Sequence, residues 1–172
     1  EQIRSFSVNA LDQVLFVARS PNGQEMVATG GTGLVQLRPP DHLRLSVTLN
    51  RHDAPVTAAA WRGDNAAFAT GDNTGRILLW AFPTTENDAP VLDWNVQVGV
   101  RSLAFSSDGT ILAAVLGGNG RFYDTSSGEQ VGDALTLHPF SGNLAWSPDG
   151  VSVAGVGSDG LVRVWQVLAE RP

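Results

Sequence analysis

The chain has 172 residues, 42% of them apolar and 16% charged, with 19 Gly, 9 Pro, eleven basic residues that are all Arg, and no Cys. That balance suits a globular chain long enough to bury a core. The missing Cys and Lys exclude disulfides, Cys-held zinc, thiol nucleophiles, a Walker-type phosphate loop and Schiff-base chemistry, and a net charge of −6 argues against a nucleic-acid surface.

In chain order the apolar runs are short and bounded by turn residues. A strand is predicted over Ile3 to Val8, then Val14 to Ala18, the turn Ser20-Pro21-Asn22-Gly23, a strand over Glu25 to Thr29, the break Gly30-Gly31-Thr32-Gly33 and a strand over Leu34 to Leu37. The same order returns as Leu43 to Leu49, Val56 to Trp61, the turn Arg62-Gly63-Asp64-Asn65, Ala66 to Thr70, the break Gly71 to Gly75, and Arg76 to Trp80. A third round runs Val91 to Gln97, Val100 to Phe105, Ser106-Ser107-Asp108-Gly109, Thr110 to Val115, Gly117 to Gly120, and Arg121 to Tyr123. The fourth is Gln130 to Leu137, Asn143 to Trp146, Ser147-Pro148-Asp149-Gly150, Val151 to Val156, Gly157 to Gly160, and Leu161 to Trp165. In Val91 to Gln97, Leu92, Trp94 and Val96 share one face while Asp93, Asn95 and Gln97 share the other, as in a half-buried outer strand. No stretch sustains a 3.6-residue period, so essentially no helix is expected.

The third turn residues, Asn22, Asp64, Asp108 and Asp149, recur at intervals of 42, 44 and 41 residues. Four short strands per unit at this period are the pattern of a propeller blade. Approximate repeats are 1–40, 41–83, 84–126 and 127–172, forming a single propeller domain or propeller segment. The longest apolar run, Ile111 to Leu116, is far shorter than a membrane span, which needs roughly 20 residues. The chain opens on Glu1 without a signal-peptide pattern or an initiator Met, so it reads as a mature start or the edge of a longer chain. The all-Arg basic set suggests a high-GC, bacterial source, and the cytoplasm is the favoured location.

On these residues the chain resembles the WD40-repeat β-propeller family along its whole length. Leu103-Ala104-Phe105-Ser106-Ser107-Asp108-Gly109 is similar to that family's strand-turn segment, and Phe122-Tyr123-Asp124 to its Trp-Asp ending with Tyr for Trp. The second and fourth units keep the Trp, as Trp80 and Trp165, but follow it with Ala81 and Gln166. The resemblance implies an all-β fold of four four-stranded blades. They would be part of a larger ring, a ring closed by oligomerisation, or a self-closed four-bladed ring.

The family's blades often contain a hydrogen-bonded His, Ser or Thr, Asp and Trp, because a buried indole N–H and imidazole need partners. The resemblance assigns that structural set to His52, Thr70 and Trp80 in the second unit, with Thr74 at the expected Asp position, six before Trp80. In the fourth it assigns His138, Asp159 and Trp165, with Gly155 at the Ser position. Arg19 stands where other units have Trp61, Phe105 and Trp146, leaving a loosely packed first blade or an Arg19–carboxylate pair as alternatives.

The rim formed by loops entering the first strand, and by those between second and third strands, is where the family commonly receives protein or peptide. It would display Arg51, His52, Asp53, Asp72, Asn73, Arg101, His138, Phe140 and Asp159. Phe140 is either an exposed anchor or a plug for the blade top, and Arg101 either lines a channel mouth or is merely solvated. The polar connection Phe82 to Pro90 on the opposite rim is expected to be mobile. Arg62-Gly63-Asp64 spells an adhesion tripeptide but occupies an ordinary turn.

No paired carboxylates, HExxH, EF-hand spacing or GxSxG elbow occurs, so neither a catalytic residue, a metal nor a cofactor is expected. The expected function is a non-catalytic protein- or peptide-binding scaffold, as the sensing arm of a larger bacterial protein. A propeller-based hydrolase and a purely structural subunit are the alternatives. Nucleic acid is not an expected partner; a second copy or the remainder of a larger propeller is.

Overall fold

The computed structural model describes residues 13–39, 46–136, 140–157 and 159–167, with backbone alone at 136 and 140–143. Fifteen strands and no helix are found among them. The first sheet holds β1 (Val14–Arg19), β2 (Met26–Gly30), β3 (Leu34–Arg38) and β4 (Val47–Asn50). The second holds β5 (Val56–Trp61), β6 (Ala67–Asp72), β7 (Arg76–Ala81) and β8 (Leu92–Asn95). The third holds β9 (Val100–Phe105), β10 (Ile111–Leu116), β11 (Asn119–Asp124) and β12 (Gln130–Thr136). The fourth holds β13 (Phe140–Trp146), β14 (Ser152–Gly157) and β15 (Val162–Gln166). Every pairing is antiparallel between neighbours in sequence. The predicted strand over Ile3 to Val8 lies outside the described residues.

The recurring turns have one local cause. Asn22, Asp64, Asp108 and Asp149 each accept the backbone N–H two residues on, at 3.0, 2.8, 3.1 and 3.0 Å. An Asx side chain thus closes each hairpin. The next position has positive φ, supplied by Gly23, Gly109 and Gly150; at the corresponding place Asn65 adopts φ 61°, a conformation Asn tolerates better than most residues.

Sheets pack in chain order, mainly through their first strands: β1 on β5, β5 on β9, β9 on β13. No comparable packing joins the first sheet to the fourth among the described residues, so the row of blades is not closed. Each sheet has a front face toward the next sheet and a back face toward the previous one. Paired residues form a row on each front face, of small and aliphatic side chains in the first two sheets and with Phe122 added in the third. The first sheet has Ala18, Val27, Leu37 and Val47; the second has Ala60, Ala69, Leu79 and Leu92; the third begins with Ala104, Ala113 and Phe122. Against them stand heavier rows on the back faces: Trp61, Phe68 and Trp80; Phe105, Leu112 and Tyr123; Trp146, Val153 and Trp165. These opposing rows form the three inter-sheet cores. Small residues opposite large ones let the sheets interdigitate at interior density.

The second interface shows how tight this is. A Cβ on Gly71 would lie 2.6 Å from Val100 Cγ1 and 2.9 Å from its Cβ. Gly71→Ala is therefore expected to push β9 off β6 and cost about 1–3 kcal/mol, read as a lower urea midpoint with an unchanged slope.

Candidate functional site

The second sheet carries a continuous buried hydrogen-bond chain. Trp80 Nε1 donates to Thr70 Oγ1 at 3.0 Å, and Thr70 Oγ1 lies 2.8 Å from His52 Nε2. An indole N–H can only donate and an ionised carboxylate can only accept, so Thr70 accepts from Trp80, the hydrogen of neutral His52 lies on the nitrogen beside Asp72, and Nε2 accepts from the Thr70 hydroxyl. That fixes the neutral His tautomer with hydrogen on Nδ1, which donates to Asp72 Oδ2 at 2.8 Å. Asp72 Oδ1 meanwhile accepts from the amides of Thr74, Gly75 and Arg76 and from Thr74 Oγ1. One carboxylate thus ties the β6–β7 turn to the loop entering β5.

Burial pushes the His52 pKa below its usual 6.5, more strongly than bonding and attraction from Asp72 raise it. Asp72 is also lowered: burial opposes its ionised form, but the hydrogen bonds from His52 and the turn outweigh burial. The unfolded chain therefore takes up the His52 proton first as pH falls. The stability contributed by neutral His52 is present above about pH 6.5 and is lost as pH drops below it. The melting temperature should fall between pH 7 and 5, and His52→Ala should flatten that slope.

Outside this chain lies a charged cluster centred on Arg76. Its guanidinium makes two bonds to Asp93, at 3.0 and 2.8 Å, and meets Asp53 at 3.2 Å and the Arg51 carbonyl at 2.6 Å. Asp93 is held below the usual carboxylate range chiefly by its bond to Arg76. Asp53 keeps 98% of its side chain in solvent. Exposed Asn73 is anchored by its amide to the Pro55 carbonyl at 3.0 Å. A Cβ on Gly99 would stand 2.6 Å from the Asn73 carbonyl oxygen, so the turn sits against the entry to β9, where Arg101 is exposed. Asp53, Asn73 and Arg101 thus belong to the loop side of the second and third sheets, with Arg76 positioning the first.

The family description "WD domain, G-beta repeat" matches residues 43–81 and 138–166, the segments that contain the complete His-Thr-Asp-Trp chain and the fourth sheet's Trp165. Residues 43–81 and 138–166 are WD40 repeats. It is 29% identical over 126 residues to small ribosomal subunit protein RACK1 of Schizosaccharomyces pombe, covering 67% of this chain and 39% of that protein. It is 25% identical over 127 residues to polyadenylation factor subunit 2 of Cryptococcus neoformans var. neoformans, covering 69% and 16% respectively. The chain therefore spans well under two thirds of these WD40 relatives. They are fungal proteins and lend no support to a bacterial source.

Within the WD40 blades the structure corrects two assignments. The Asp of the second blade's set is Asp72, not the position of Thr74; Thr74 instead donates to Asp72. His52 and Asp72 are 3% and 1% exposed, so neither is displayed on the rim: their polar atoms are spent on each other and on the turn. Arg51 is exposed but reaches away from the cluster to the Asn87 and Asp88 carbonyls. Asp88 also accepts the Thr85 amide at 2.7 Å, so the Phe82 to Pro90 connection is hydrogen-bonded at several points.

In the fourth blade Asp159 lies on the β14–β15 turn, 2.6 Å from Arg163, whose guanidinium holds its pKa to about 2. Trp165 faces the third blade. His138 and the side chain of Phe140 lie outside the described residues. Among the described residues Arg19 meets no carboxylate and donates instead to the Gly23 carbonyl of its own turn, at 3.0 Å. Arg76 escaped the sequence reading, although the polar alternation of Asp93 and Asn95 opposite it was a usable signal. No group of three or more His, Asp or Glu able to hold a metal occurs among the described residues, nor any helix able to cross a membrane.

Proposed function

We propose that the chain is a non-catalytic scaffold that receives a protein or peptide on the loop side of its second and third blades, through Asp53, Asn73 and Arg101. The observation that carries this reading is the Arg76 cluster. It holds a nearly fully solvated carboxylate over a rigid blade, beside an exposed amide and an exposed guanidinium. Fixed charges of both signs on a rigid support suit orientation and selection of a partner more than raw affinity. Arg is also among the common interface anchors. Relatives whose names place them in a ribosomal subunit and a polyadenylation factor are consistent with work inside assemblies. The full-length protein's partner belongs to this proposal as well.

A phage-displayed random peptide library panned against the chain tests it. Captured peptides should be lost on Asp53→Arg with Arg101→Glu, a pair that leaves the buried network intact. Retention of the same peptides by that double variant at an unchanged melting temperature would remove the rim from the function.

A further inference from the structure

The interface between the second and third sheets holds three hydrogen-bond donors at places that are mainly aliphatic in the interface before it. Among the described residues, four buried side-chain nitrogen or oxygen atoms have no hydrogen-bond partner, and three of them are Trp94 Nε1, Arg121 Nε and the Tyr123 hydroxyl. Register explains why these stand together. Trp94 pairs with Ile77 on the second sheet's front face as Leu49 pairs with Val35 on the first. On the back faces, Tyr123 pairs with Leu112 as Trp80 pairs with Phe68, and Arg121 pairs with Ala114 as Leu78 pairs with Thr70. The first interface gathers Leu49, Leu78 and Trp80 into one buried cluster. The second puts Trp94, Arg121 and Tyr123 at the same three places.

Contacts agree with the register. The ring centroids of Trp94 and Tyr123 are 5.8 Å apart. Tyr123 is 3% exposed, with the Arg121 guanidinium beside its hydroxyl. Burial raises the Tyr123 pKa above its usual 10, more strongly than that guanidinium lowers it, so the hydroxyl keeps its proton. In the second sheet Thr70 accepts from Trp80, whereas Ala114 stands at that place in the third and offers Tyr123 no oxygen. Trp94 and Arg121 are half-buried, which leaves the group an approach from solvent.

The fourth sheet shows what a guanidinium at this position takes. Arg163 pairs with Gly155 as Arg121 pairs with Ala114, and it donates twice to Asp159 of the β14–β15 turn, at 3.1 and 2.6 Å. The matching β10–β11 turn is Gly117-Gly118 and supplies no carboxylate. Arg121 makes no ion pair among the described residues. An ionised carboxylate only accepts, and its two oxygens accept from several donors at once. We propose that Trp94, Arg121 and Tyr123 form a carboxylate-binding site between the second and third sheets, taking an acidic side chain of a partner polypeptide or a small free carboxylate. The site uses none of the rim residues and stands independently of the rim proposal.

The test follows the Trp94 indole N–H by heteronuclear NMR of the whole chain, its signal identified by its loss in Trp94→Phe. Acetate replacing chloride at constant ionic strength should move that signal to saturation and leave the other indole signals in place. A blocked hexaglutamate peptide distinguishes the sources. Binding tighter than the number of its side chains alone provides identifies an acidic segment of a partner, and no such gain identifies a free carboxylate. Arg121→Leu, which installs the residue of the matched place in the second sheet, should weaken both ligands about tenfold or more without lowering the melting temperature. Tyr123→Phe should weaken them too, and should leave the melting temperature unchanged or raise it, since it removes a buried hydroxyl that has no partner. An equal response to sulfate, a Trp94 signal that stays in place, or a melting temperature lowered by several degrees in Tyr123→Phe would each overturn the proposal.

Discussion

Phe68→Ala is expected to destabilise the chain by about 3–5 kcal/mol, the usual cost of truncating a buried aromatic. Phe68 is fully buried at the middle of the second sheet's back row. Its ring stacks on Trp80 at 6.0 Å and an interplanar angle of 10°, and meets Trp61 at 5.1 Å. Removing it opens a void between two indoles that cannot approach each other, because both are fixed at strand positions paired with Phe68 itself. For a chain of this size the melting temperature should fall by on the order of 10 °C. A scanning calorimeter reads it directly. A drop of only a degree or two would mean that the first and second sheets do not pack through this row.

Asp72→Ala is expected to be the costliest polar change, at about 2–4 kcal/mol. It leaves His52 Nδ1–H buried without an acceptor and releases the turn donors at Thr74, Gly75 and Arg76 together. Asp72→Asn keeps one acceptor oxygen and should recover part of the loss. The paired variants His52→Ala and Asp72→Ala should be sub-additive, because the first removes the donor that the second orphans. Strict additivity in a denaturant-melt cycle would show that the two groups do not communicate through this bond. By contrast Arg76→Ala, which breaks ion pairs only at a solvated surface, should move stability by about 1 kcal/mol or less.

Much of the fold was readable because its signals are local. Alternation within short runs and an Asx residue three or four before each returning strand placed the strands from Val14 onward to within a few residues. The site was less readable because its logic is cross-strand. Counting back from Trp80 leads to Thr74, whereas the carboxylate that reaches His52 is Asp72, at the end of β6, where it faces both the turn and the neighbouring loop. Likewise Arg76 looks like the first residue of a strand until β7 is paired with β8, which brings Asp93 to its guanidinium. The row of Arg19, Met26 and Arg38 has no meaning as a string. It becomes a face only once Met26 is paired with both arginines.

The orientation of the rows also bears on how the chain leaves the ribosome. In the second, third and fourth sheets, the aromatic row lies on the side facing the sheet synthesised just before it. The stickiest surface of each newborn blade therefore meets a cover that already exists. What it leaves exposed while waiting for the next blade is a side of mainly small and aliphatic residues, with Trp94 and Phe122 the aromatics among them. The first sheet turns the guanidinium groups of Arg19 and Arg38 and the Gln36 amide to that side instead. A vectorially made array with this polarity limits the time the Trp61, Trp80, Trp146 and Trp165 indoles spend in water during synthesis, when exposed apolar surface and strand edges are most open to aggregation.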